Sequence, residues 1–193
     1  MRSDVRDFFD ALAPNWDAYA KDDLSYVASL LSRIPSPKGG RVLDLACGTG
    51  VISGLLHEWS HGVVHGLDIA PNMIAIAKGK YAGFDGISFE TADFLEWDGD
   101  RYDAIILYNA YPHFVDVSAF IEALKRHLKP SGRFAIIHSI GRAQLHHHHE
   151  GFAATISRNL LPVEEEGERY RHDFALDVVD EGDHFYLLSG TFR

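Results

Sequence analysis

The chain has 193 residues, 46% hydrophobic and 24% charged, which suits a folded globular domain and excludes a disordered one. The formal charge of −10 disfavours nucleic-acid or anionic-membrane partners, since both need clustered cations. No uncharged apolar run reaches the roughly 18 residues of a membrane span.

The start, MRSDVRDFFDAL, has acids where a secretory signal would be apolar, so a cytoplasmic protein is expected. Residues 1–34 read as two helices. Val5, Phe8, Phe9, Leu12 and Ala13 share one helical face, which Pro14 and Asn15 break. Leu24, Val27, Ala28, Leu30, Leu31 and Ile34 make a second apolar face. After the loop IPSPKGG (34–40) the pattern changes. RVLDLA (41–46), VVHGLD (63–68), GISFET (86–91), YDAIILY (102–108) and RFAIIHSI (133–140) read as strands. Helices are expected over 50–59, from Pro71 to about 79, from a cap at Asp116 or Ser118 to Leu128, and over 141–157. KPSG (129–132) reads as a turn, and 160–173 as a loop with a weak helix. ALDVVD (175–180) and FYLLSGTF (185–192) suit a hairpin around EGD. The expectation is one α/β domain over 1–193 with helices on both faces of a seven-stranded, mostly parallel sheet. A C-terminal antiparallel hairpin completes the sheet, residues 1–39 form a helical lid over the cofactor side, and 40–193 form the core. In such sheets, ligands bind at the carboxyl ends of the strands.

The most informative segment is VLDLACGTG (42–50). Gly48 and Gly50 lie where a strand turns into a helix, and glycine permits positive φ and close approach of a ligand. The turn also holds the one cysteine, Cys47, which excludes an internal disulfide framework and fits a reducing compartment. A dinucleotide fingerprint would be G-x-G-x-x-G, but the third glycine here is Gly54, one residue too far. Asp44 would repel a pyrophosphate yet suit a ligand bearing an ammonium or sulfonium group. Asp68 ends the second strand and could accept from a ribose diol, or simply cap a helix start. Asp93, followed by Phe94, could read a purine amino group, or be a loop acid beside a core ring.

Together these pieces, with GLDIAPNMI, TADFLEW, YDAIILYNAYPHF and LKPSGRFAIIHS in order, resemble the class I S-adenosylmethionine-dependent methyltransferases over roughly residues 40–140. The leading FFDALAPNWDAYA is similar to that of small-molecule members. The resemblance implies S-adenosylmethionine as cofactor and a small-molecule acceptor. It places Asp44 at the methionine amino group, with Cys47, Gly48 and Gly50 letting the main chain approach. It assigns Asp68 to the ribose, Ile69 and Met73 to the adenine pocket, and Asp93 and Phe94 to the adenine edge and face. Tyr108 and Asn109 would pass under the sulfonium, and Trp16 and Tyr19 would lie over the cofactor as a lid.

The acceptor is expected beside YNAYPHF (108–114). The sequence Asn109-Ala110-Tyr111-Pro112 departs from the [DN]-P-P-[YF] of amide and exocyclic-amine methylases. His113 is a candidate general base, and Tyr111 a substrate contact. The chain has 12 histidines, four of them consecutive, in HSIGRAQLHHHHEG (138–151). This segment is similar to an H-x3-R-x3-[NH]-x2-H pattern of some small-molecule methyltransferases. It nominates His138 as a second catalytic group, with Arg142 and His146 as substrate contacts. The ranking puts an acceptor pocket first, a solvated histidine face second, and a metal site of His138, His146 and His149 third. The expected function is methyl transfer to a small soluble acceptor by a monomer or homodimer. The rivals are a non-catalytic cofactor-binding protein and an RNA methyltransferase, the latter disfavoured by charge and length.

Overall fold

The computed structural model describes residues 2–19, 23–148 and 156–193. Its strands are β1 (Arg41–Leu45), β2 (Val63–Asp68), β3 (Ile87–Thr91), β4 (Tyr102–Tyr108), β5 (Leu128–His138), β6 (Phe174–Gly182) and β7 (Phe185–Phe192). They form one sheet in the order β3-β2-β1-β4-β5-β7-β6. The first five pair in parallel, as strands joined by helical crossovers do. β7 is antiparallel to both β5 and β6. The expected α/β sheet, mostly parallel with an antiparallel C-terminal hairpin, is thus observed.

Local chemistry sets the helix starts. Asp116, not Ser118, caps α6 (Val117–His127), accepting from the Ala119 N–H at 2.9 Å. Pro71 opens α5 (Pro71–Lys80) where its missing N–H costs nothing. α4 (Ser53–Ser60) starts later than the sequence suggests, because the residues before it are spent on the glycine turn. β5 starts earlier than expected and absorbs KPSG, with Ser131 at φ +60° marking the irregularity. The helix expected over 141–157 is α7 (Arg142–His148); residues 149–155 lie outside the described ones. The weak helix within 160–173 is α8 (Val163–Glu168).

Side-chain alternation splits the core into two layers. Leu43, Ile105, Phe134 and Ile136 pack with Phe120 and Leu124 of α6 on one face. Val42, Ile106, Ala135 and Ile137 pack on the other, with Ile52 and with Leu56 of α4. The N-terminal region is more divided than the two expected helices. α1 (Arg2–Leu12), a 3-10 turn (Ala13–Asn15) around Pro14, and α2 (Trp16–Tyr19) form one unit. α3 (Leu24–Leu31) corrects the lid of 1–39. Its Val27, Leu30 and Leu31 pack over Val42, Val64 and Ile106, and no residue of α3 lines the site. An apolar face requires a surface to cover; it does not say which side of the sheet supplies it.

Candidate active site

A cavity of about 510 Å³ opens at the carboxyl ends of the parallel strands, where the rule for open α/β sheets puts ligands. Asp44 of β1, Asp68 of β2 and Asp93 after β3 all line it. Asp44 is buried and accepts from the Ser53 hydroxyl at 2.6 Å. Burial pushes its carboxyl up to about 7; the Ser53 hydrogen bond opposes this, and the Asp68 charge adds to it. Asp68 is also buried and raised, chiefly by loss of solvent. Its two oxygens accept from the backbone N–H groups of Gly48 and Ala70, each at 2.8 Å. It therefore serves the helix start and the cavity at once. Asp93 accepts from the Leu95 N–H at 3.0 Å, which turns the chain and buries Phe94 in the core.

The two glycines of the turn have different duties. Gly48 lines the cavity at φ +54°, and a Cβ there would stand 3.5 Å from the Trp16 indole nitrogen. Gly50, at φ +77°, does not line it. A Cβ on Gly50 would meet the Phe89 ring at 3.0 Å and the Tyr81 ring at 3.1 Å. Its role is helix–sheet packing, which corrects its assignment to the cofactor. Cys47 lines the cavity, but burial pushes its thiol well up, so it is an apolar wall and not a nucleophile. Ile69 and Met73 line the cavity next to Asp68.

The N-terminal unit closes over this shelf. Trp16 and Tyr19 line the cavity, Tyr19 with most of its surface exposed. Two polar contacts hold the unit down. Asp10 accepts from the Asn72 backbone N–H at 2.6 Å and from its side-chain amide at 2.8 Å. Asp17 accepts from the Thr49 hydroxyl at 2.5 Å and from Lys80 at 3.0 Å. Neither contact was legible in advance, because each joins residues more than thirty positions apart.

At the end of β4, Tyr108 and Asn109 line the cavity, and Ser139 organises both. The Tyr108 hydroxyl lies 2.9 Å from Ser139 Oγ, and the Asn109 side-chain oxygen accepts from the Ser139 N–H at 3.0 Å. Asn109 takes φ +51°, a conformation that asparagine tolerates better than most residues. His113 also lines the cavity. Its Nδ1 lies 3.4 Å from the Ile156 carbonyl oxygen, and its ring meets Phe9 edge-on at 4.8 Å.

Other expected contacts lie elsewhere. Tyr111 is fully buried and does not line the cavity. Its hydroxyl donates to Glu166 at 2.6 Å, and its ring lies under the Arg158 guanidinium. Arg158 holds buried Glu166 through two hydrogen bonds, at 3.0 and 2.9 Å. The backbone N–H of Arg158 also donates to the Pro112 carbonyl at 2.9 Å. Tyr111 is therefore a structural link, not a substrate contact. His138 is fully buried against Tyr186, outside the cavity lining, because its place in β5 turns it toward the core. That removes it as a catalytic group. Arg142 pairs with Glu181 at 3.1 Å and does not line the cavity, so it is not the expected anchor. The side chain of His146, and all of His149, lie outside the described residues. Among the described residues, no cluster of histidine, cysteine and acids could hold a metal ion.

The sequence reading missed part of the wall. Phe8, Phe9 and Leu12 of α1 line the cavity, as do Phe114, Ile140 and Leu145. The α1 residues carried a signal as an apolar stripe on the expected lid, but the sequence singles out none of them as a site residue.

The fold and these acids define a class: an open α/β sheet with a carboxylate at or just after each of three strand ends, all lining one cavity. The chain belongs to the family described as methyltransferase domain, which matches residues 36–170, and whose class I members use S-adenosylmethionine. It is 29% identical over 82% of its length to a malonyl-[acyl-carrier protein] O-methyltransferase of Acetivibrio thermocellus. It is 31% identical over 67% to a ubiquinone/menaquinone biosynthesis C-methyltransferase of Desulfotalea psychrophila. These alignments cover only 56% and 55% of the relatives, so the chain spans about half their length. A putative methyltransferase solved with the Haloferax volcanii Trm112 methyltransferase activator shares the fold, with a TM-score of 0.80 at 22% identity, over 96% of this chain and 97% of that one. Among the described residues, no helix is long and apolar enough to cross a membrane.

Proposed function

We propose that this domain transfers a methyl group from S-adenosylmethionine to a small acceptor. The carrying observation is that Asp44, Asp68, Asp93 and Gly48 line one cavity together with an apolar wall that none of them needs. The residues present fit the cofactor: acceptor-only groups face where an ammonium, a diol and an amino group would lie, and Gly48 adds no side chain there. When bound, S-adenosylmethionine supplies an electrophilic methyl on a sulfonium; the acceptor's lone pair takes the methyl and the carbon–sulfur electron pair stays on sulfur.

The chain's own residues do the rest. Asp44 and Asp68 anchor the two ends of the aminoacyl and nucleoside portions. Asp93 and the Phe94 backbone read the adenine, with Ile69 and Met73 packing on it. Trp16 and Tyr19 exclude water from above, and Tyr108 and Asn109 form the floor near the reacting carbon. His113 is the base for an acceptor that must lose a proton. A proton held on Nδ1 and directed at the Ile156 carbonyl would leave the lone pair on Nε2. Positioning supplies much of the rate, since the methyl is already activated.

The small-acceptor reading draws on a relative named for ubiquinone/menaquinone biosynthesis. The fold match to a methyltransferase solved with Trm112 favours a second reading, in which a protein partner joins the monomer or homodimer. Incubation with methyl-labelled cofactor and an acceptor panel tests the proposal. Release of S-adenosylhomocysteine with labelled product is expected; tight cofactor binding without turnover on any acceptor would favour a non-catalytic binding protein.

A further inference from the structure

Resting on the methyltransferase reading, we infer that the acceptor is an uncharged, flat, apolar molecule, a ring bearing a hydroxyl or amine, and not a carboxylate. Charge is the first reason. Among the described residues, the ionisable groups lining the cavity are Asp44, Asp68, Asp93, Cys47, Tyr19, Tyr108 and His113; no lysine or arginine is among them. The cations that could be thought of as anchors are engaged elsewhere. Arg142 pairs with Glu181, Lys80 with Asp17, and Arg158 with Glu166. A carboxylate acceptor would be desolvated in this cavity with no fixed cation among the described lining residues to pair with, an arrangement that burial makes costly.

Shape is the second reason. The wall away from the cofactor shelf is Phe8, Phe9, Leu12, Phe114, Ile140 and Leu145. Phe9 is the hub of an edge-to-face set of rings that all line the cavity. Phe9 stands at 84° to Phe8, 79° to Trp16 and 76° to His113, with ring centroids 5.2, 5.6 and 4.8 Å apart. Such an array presents ring edges and faces at right angles, which a planar ligand can complete. His113 stands within this array, so a hydroxyl or amine on the ring would meet the one imidazole of the described lining. The polar floor beside it is set by protein contacts, since the Asn109 oxygen accepts from Ser139.

A matched pair of probes tests the inference. Calorimetry on the protein saturated with S-adenosylhomocysteine would compare 2-naphthol, neutral near pH 7, with 2-naphthoate, the same ring carrying a carboxylate. Naphthol is expected to bind at least about tenfold more tightly, because only the carboxylate must shed its water without a partner. Equal or tighter binding of naphthoate, or no binding of naphthol, would overturn the inference. Failure of S-adenosylhomocysteine itself to bind would instead strike the methyltransferase reading. Phe8→Arg, on a half-buried helix face, adds a cation to the described lining and should shift the ratio toward naphthoate by about fivefold or more. An unchanged ratio in a variant that still binds S-adenosylhomocysteine would put the acceptor elsewhere and overturn the assignment of this wall. If that variant does not fold, the wild-type pair alone decides.

Discussion

Replacing Asp44 by asparagine tests the electrostatics of the site most directly. The Asp44 carboxyl is raised from 3.8 to about 7, mainly by burial, against the pull of the Ser53 hydroxyl and with help from the Asp68 charge. An acid whose pKa is higher in the folded chain than in the unfolded one stabilises the fold at low pH, and that stability is lost as pH rises between the two values. For Asp44 the window runs from 3.8 to about 7. A gap of about three pH units, at ~1.4 kcal/mol each, amounts to ~4 kcal/mol as an upper figure. Asparagine cannot ionise and can still accept from Ser53. Asp44→Asn should therefore match the wild type near pH 4 and exceed it by about 2–4 kcal/mol near pH 8 in cofactor-free protein. Cofactor should reverse the order, since an ammonium beside Asp44 favours the ionised form. Urea denaturation across this pH range, with and without S-adenosylhomocysteine, reads both effects. An asparagine variant that is less stable than wild type near pH 8, with unchanged affinity for S-adenosylhomocysteine, would refute the reasoning.

Two other outcomes follow from the hydrogen bonds. Asp68→Ala should weaken S-adenosylhomocysteine binding by about 1–3 kcal/mol, as measured by calorimetry, because the diol loses its acceptor; unchanged affinity in a folded variant would remove Asp68 from the site. Arg158→Met leaves the Glu166 carboxylate buried with the Tyr111 hydroxyl and a guanidinium 3.8 Å away at Arg169. It should cost about 3–5 kcal/mol in chemical denaturation, and Glu166→Gln in the same chain should recover most of it. A loss under about 1 kcal/mol would mean that the pair is not a buried charge network.

The positions of Asp44, Gly48, Asp68 and Asp93 were legible because each depends on a short strand followed by a turn. A carboxylate at the end of a parallel strand faces the cavity once the sheet forms, and sheet formation could be read from apolar runs of five to seven residues. Residues placed by distant partners were not legible. Tyr111 lies two positions from His113, yet Glu166, 55 residues on, draws its hydroxyl into the core. Arg142 carried the right charge for an anchor, but Glu181 on the hairpin takes it. His138 looked like a strand-end histidine facing ligand; a strand offers two faces, and the register with Tyr186 selects the buried one. Gly50 belongs to the same motif as Gly48, and only the rings of Tyr81 and Phe89 reveal that its missing side chain serves packing.

The place of β7 in the sheet has a consequence for the order in which the protein assembles. β6 precedes β7 in the chain, yet its ladder partner is β7, and β7 stands between it and β5. A nascent chain that has emerged through β5 and β6 can build the parallel half, but β6 has nowhere to dock. Until residues 185–192 are available, β5 keeps an open edge along residues 133–138, from Arg133 through Phe134 and Ile136 to His138. That edge is the stretch on which a second unfinished chain could add a strand. The same strand, β7, both seals β5 and gives β6 its partner, and the two residues Asp183 and His184 join it to β6 as a hairpin. Substitutions at this tight turn would be felt first in yield and aggregation during synthesis, because they prolong the time for which the edge of β5 stays open to another chain.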